Sequence, residues 1–71
     1  MRYAIVIEKA RTNYSAYAPD LPGCVATAKT RALVARRIRE AILLHLRGLR
    51  EDGIRAPRPS AVAGYIDTAI E

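Results

Sequence analysis

Two side chains in this sequence carry groups that do nucleophilic or base chemistry near neutral pH, the Cys24 thiol and the His45 imidazole, and each is the only one of its kind. A catalytic thiol needs a nearby base and a depressed pKa. Cys24 follows Leu21-Pro22-Gly23, where it opens a strand after a sharp turn. His45 lies roughly four turns into a helical segment, on its apolar stripe. A Cys–His contact is open on this reading, but no neighbouring residue orients the imidazole. The residue types point to a small core cysteine and a packed or interface histidine. Two soft ligands also fall short of the four that structural zinc takes. Among the carboxylates, Glu8 and Asp67 would meet only if neighbouring parallel strands carried them, as a site for a hard cation requires. Surface placement is the plainer reading for both. Asp20, Glu40, Glu51 and Asp52 are scattered, and there is neither a Gly-rich phosphate loop nor a Ser-His-Asp set. The expectation is a protein without catalytic residues, metal or cofactor, and not an enzyme.

The elements that position these groups follow from pattern. Arg2–Lys9, "RYAIVIEK", is rich in β-branched and aromatic residues and predicts a strand. Tyr3, Ile5 and Ile7 alternate with Ala4 and Val6, so both faces are apolar, as suits a central strand. "ARTN" is a turn in which Asn13 tolerates a left-handed conformation. Strands are predicted over about 14–18 and 24–28. Between them Leu21-Pro22-Gly23-Cys24 fits a type II turn with Gly23 at positive φ. Thr30 caps a helix over about 31–52, and Gly53 can close it. Val34, Ile38, Ala41, Ile42, His45 and Leu49 share its core stripe. After "IRAPRPS", a Pro-rich connector, residues 61–68 read as a last strand weakened by Gly64. A right-handed crossover then lays the last strand beside the first. The fold class predicted is α+β, β-β-β-α-β, with sheet order 3-2-1-4 and one long helix on one face, in a single domain spanning residues 1–71.

Size and charge bound the rest. A chain of 71 residues buries little surface, and with no internal disulfide, association between copies is the common route to stability. Leu33, Leu43 and Leu44 are more apolar surface than one packed stripe requires, which marks a self-interface and a homo-oligomer. The formal net charge is +5, which favours an acidic partner or a solvated arginine-rich surface. Arg36, Arg39, Arg47 and Arg50 cluster opposite the core stripe and suit phosphates. Base stacking asks for exposed aromatics, and the four tyrosines all fall on predicted strands, so nucleic acid is the second choice of partner. The apolar run Tyr3–Ile7 is too short for a signal peptide or a membrane span. With one cysteine, a cytoplasmic protein is expected.

The ordered set Pro19, Leu21, Pro22, Gly23, Cys24, Thr30, Glu40-Ala41-Ile42, "GLREDG" and the Pro57/Pro59 pair resembles the HicB-like antitoxin family. These are small proteins encoded with HicA-like toxins, which are mRNA-cleaving ribonucleases. The resemblance implies a partial ribonuclease H-like sheet that lacks metal-binding acids. It also implies a HicA-like toxin as partner. The function expected is an antitoxin module that self-associates and occludes that toxin, and Glu8, Asp20 and Leu21 of the 19–23 loop are where the contact is sought. Family members carry acidic residues after the Thr cap and along the helix, where this sequence has Arg31, Ala32, Leu33, Arg36 and Leu43. Six arginines against two acids lie on Arg31–Glu51, which moves the expected contact with a basic toxin onto a strand or loop. Many members append an operator-binding domain. None follows in this sequence, so a small single-domain member is expected.

Overall fold

The computed structural model describes residues 1–69. The domain expected over 1–71 therefore includes residues 70 and 71, which lie outside the described residues. Three strands, β1 (Val6–Lys9), β2 (Tyr14–Tyr17) and β3 (Val25–Ala28), precede one helix, α1 (Arg31–Glu51). The strands form an antiparallel meander in the order β1-β2-β3. The architecture is α+β, with the helix across one sheet face.

The turns are built as their residues demand. The Ala10 N–H donates to the Asn13 carbonyl at 2.8 Å, closing the first hairpin. Asn13 keeps a negative φ, since among the described residues only Gly23 and Gly53 have positive φ. The second connection is a pair of tandem turns, in which Leu21 N–H donates to Ala18 O at 3.0 Å and Cys24 N–H to Leu21 O at 3.1 Å. Gly23, at φ 89°, supplies the left-handed position that a type II turn requires.

The helix starts where Thr30 Oγ1 accepts from the Leu33 N–H at 3.1 Å. It ends in a Schellman motif. Gly53 at φ 71° lets its own N–H reach Arg50 O at 3.1 Å while the Ile54 N–H reaches Leu49 O at 2.8 Å, satisfying carbonyls the helix end would otherwise leave open.

The core is Ala16, Ala18, Leu21, Cys24, Ala28, Val34 and Ile38. Alanines on the sheet let the helix approach closely, and Leu21, Val34 and Ile38 are the largest fully buried side chains. Four-residue strands span about 13 Å, whereas 21 helical residues span about 32 Å. The helix therefore overhangs the sheet. Val34 and Ile38 are buried, while Ala41, Ile42, His45 and Leu49 on the same stripe are half-buried.

Two expectations are corrected. The first strand was expected over 2–9 as a central strand; it spans Val6–Lys9 at the sheet edge. The reason is that β2 gives out at Pro19, which stands opposite Ala4 in this register and has no N–H to donate, so residues 2–5 lose their partner. The fourth strand expected over 61–68 is not formed among the described residues. The Ser60 and Ala61 N–H groups donate to the Asp20 carboxylate at 2.8 and 3.0 Å, and residues 61–63 run past residues 2–5 without pairing to them. The order 3-2-1 is present without its fourth member.

Candidate partner-binding surfaces

Side-chain alternation divides the sheet into two faces. Ile7, Tyr14 and Ala26 pack on the core from the helix side. The other face is built from two cross-strand rows, Val6–Tyr17–Val25 and Glu8–Ser15–Thr27. No element covers it among the described residues, and Tyr17 and Val25 are 40% and 67% exposed. Glu8 is exposed beside this apolar row.

The ladder also fixes which backbone groups face out. Ala18 donates to Cys24 O, so paired residues alternate from there between bonded and outward-pointing positions. With Tyr17 opposite Val25 and Ser15 opposite Thr27, the Thr27 carbonyl points to the free edge of β3. Arg37 Nη1 donates to it at 2.9 Å. On β1 the same count leaves the backbone groups of Ile5, Ile7 and Lys9 pointing away from β2.

The residues expected to meet a toxin are not one patch. Glu8 is on the open face. Leu21 is 0% exposed, so it shapes the turn from inside the core and offers no side-chain contact. Asp20 is an anchor. Its carboxylate accepts from the backbone N–H groups of Ser60 and Ala61 and from the Ser60 hydroxyl at 2.9 Å. These donors, the Ala61 N–H first, hold its pKa below the ordinary 3.8. A depressed carboxylate stabilises the fold above its unfolded pKa and loses that effect as pH falls through the folded value. The Asp20–Ser60/Ala61 tie is therefore expected to persist at neutral pH and to break only below about 3.8. Amide exchange at Ser60 and Ala61 measures this. Asp20→Ala should remove their protection at all pH while leaving the helix signal intact, and a midpoint at or above the ordinary value would contradict the tie.

Leu43 and Leu44 are 49% and 69% exposed, but Leu33 is half-buried and packs on the core. Leu33 and Leu44 lie on the flank of Arg37, towards β3, and Leu43 on the far side. Arg36, Arg39, Arg47 and Arg50 are exposed and lie within about 40° of Leu43 around the helix. The Cys24 thiol is buried and directed at the Ala41 carbonyl, 4.0 Å away. Burial pushes its pKa up, so it stays protonated and a poor nucleophile at neutral pH. Glu8 and Asp67 are not paired across strands, and no group of three or more metal-binding side chains forms among the described residues. No helix of the described residues is long and apolar enough to cross a membrane. The row of Val6, Tyr17 and Val25 was missed in the sequence, because only the strand register brings these three together.

The family model of the HicB-like antitoxins of bacterial toxin–antitoxin systems matches residues 3–69. The chain belongs to this family. A 14.9 kDa protein from the rep-hol intergenic region of Haemophilus phage HP1 (strain HP1c1) is 34% identical over 67 residues, or 94% of this chain and 50% of the relative. The HicB-like chain thus spans about half the length of the curated relative it matches. A chain of the HicA3 and HicB3 toxin–antitoxin complex superimposes with a TM-score of 0.69 at 30% identity, covering 83% of this chain and 70% of that one. The HicB-like match runs through the turn signature at 19–24, the helix cap and the open sheet face alike.

Proposed function

We propose that the chain is a non-enzymatic antitoxin module that binds a HicA-like ribonuclease toxin and occludes its RNA-binding surface. The carrying observation is the family match over residues 3–69, and the likeness to a chain of a toxin–antitoxin complex supports the partner. The surface best suited to occlusion is the open sheet face. A flat row of Val6, Tyr17 and Val25 supplies apolar contact, and Glu8 and the turn at 19–23 supply the polar rim. In this reading the module works in the cytoplasm, self-associates through apolar surface left on the helix, and has a partial ribonuclease H-like fold of order 3-2-1-4 once its fourth strand is supplied. Co-expression with the HicA-like toxin encoded beside it should restore growth, and the two proteins should co-purify. No rescue together with no co-purification, or an adjacent frame of another kind, overturns the proposal.

A second reading rests on the exposed Arg36, Arg39, Arg47 and Arg50, which present cations along one helix face to phosphates. The two separate by salt. Phosphate binding weakens by orders of magnitude between about 50 and 200 mM salt, whereas a toxin complex with an apolar centre should lose little.

A further inference from the structure

Beside β1 lies an apolar groove of about 300 Å³ lined by Tyr3, Ile5, Ala35, Ile38, Ile42 and Leu43, with Arg39 at its margin. One wall is the free edge of the sheet, along which the backbone groups of Ile5 and Ile7 point outward. The other is the flank of α1. An extended segment would close both at once, donating to the edge and filling the groove with alternate side chains.

This chain carries such a segment. Residues 62–69 follow the Pro57/Pro59 connector, and Val62, Tyr65 and Ile66 are 89%, 92% and 87% exposed. Side chains this apolar are seldom left together in water. Val62 and Ile66 fall on the same side of an extended chain. Residues 61–63 face residues 2–5 across a cleft of about 540 Å³ without pairing to them. Two ties fix where the segment leaves the body: the Tyr3 hydroxyl on the Pro57 carbonyl, and Asp20 on Ser60 and Ala61. Prolines stiffen the stretch between. The chain's radius of gyration is 14.1 Å, against about 11 Å for a compact chain of this length. The overhanging helix and this arm both lengthen the molecule.

We propose that residues 62–66 of one copy dock along β1 and into this groove on a second copy, each supplying the other's missing fourth strand. Reciprocal exchange buries Val62 and Ile66 twice and leaves no groove open, which is how identical elements make a closed pair. The inference deepens the self-association in the reading above, and its test needs no toxin.

Two singly substituted chains are made, Leu43→Cys and Ile66→Cys, together with the doubly substituted chain. Cys24 is buried and stays in place. Under mild oxidation, the mixture of the two single variants should give a cross-linked species of twice the 7.8 kDa chain. Light scattering of the parent should give the same dimeric mass, and Tyr65→Ser/Ile66→Ser should return it to a monomer with its helix signal intact. Efficient cross-linking within single copies of the double variant, with no cross-link in the mixture, would show that the arm closes on its own groove and would falsify exchange. A parent monomeric at micromolar concentration overturns it as well. A groove that protects from exchange only when toxin is added assigns it to the toxin and sinks the proposal, while rescue and co-purification would still stand.

Discussion

Replacing Leu21 with Ala is expected to cost the domain a large share of its stability and to lower its thermal midpoint by roughly 10 °C or more. Leu21 is 0% exposed and comes from a turn, so it plugs the open end of the sandwich between sheet and helix. Deleting a fully buried leucine costs about 2–5 kcal/mol, the cavity included. A domain of this length has about 4–10 kcal/mol in all. At about 4–8 °C per kcal/mol for a small domain, the thermal midpoint should fall by roughly 10 °C or more, read by circular dichroism. A variant melting within a few degrees of the parent would remove Leu21 from the core. The same result decides how Leu21 enters partner binding. Loss of a complex in this variant should track loss of fold, and conditions that restore the fold should restore the complex.

Tyr17→Asp is expected to abolish toxin neutralisation without unfolding the chain. Tyr17 is in the middle strand of the open face, between Val6 and Val25 in one row, and is 40% exposed, so the substitution opens no cavity. An aromatic at the centre of an interface commonly contributes 2 kcal/mol or more, which is about thirtyfold in affinity. A carboxylate there would also be desolvated under the partner. Val25→Asp, one strand over, should behave alike, and Arg47→Glu on the far face of the helix should not. Isothermal titration with the purified toxin reads all three. Binding unchanged in Tyr17→Asp and lost in Arg47→Glu would move the toxin site to the helix.

What the sequence made legible was everything decided within a few residues. The Pro22-Gly23 turn, the Thr30 cap and the Gly53 close are local chemistry, and each is present. The three strands and the helix follow from composition and period. The fourth strand was not readable in the same way. Residues 61–68 have strand chemistry, but pairing with residues 2–5 is a contact between segments about sixty positions apart. The tie of Asp20 to Ser60 and Ala61, about forty residues away, is likewise one that no local pattern announces. The placement of β1 failed for a related reason. Apolar residues on both its faces suggested a strand flanked on both sides, whereas the outer-face residue, Val6, belongs to an exposed row with Tyr17 and Val25. Cys24 was read correctly as a small core residue because a turn followed by an apolar strand puts it there. Leu33 was grouped with Leu43 and Leu44 as apolar surface off the core stripe, whereas it is half-buried and packs against the core.

The Arg37 guanidinium on the Thr27 carbonyl has a consequence for how copies can accumulate. A short sheet open at both margins is a template that adds subunits without limit, the route to fibres. Here a cation occupies the margin at β3, which leaves addition possible at β1 alone. In the exchanged pair proposed above, growth of the sheet is therefore expected to be one-sided and to stop at two copies, and Arg37→Ala should give a species whose light scattering climbs with time and concentration.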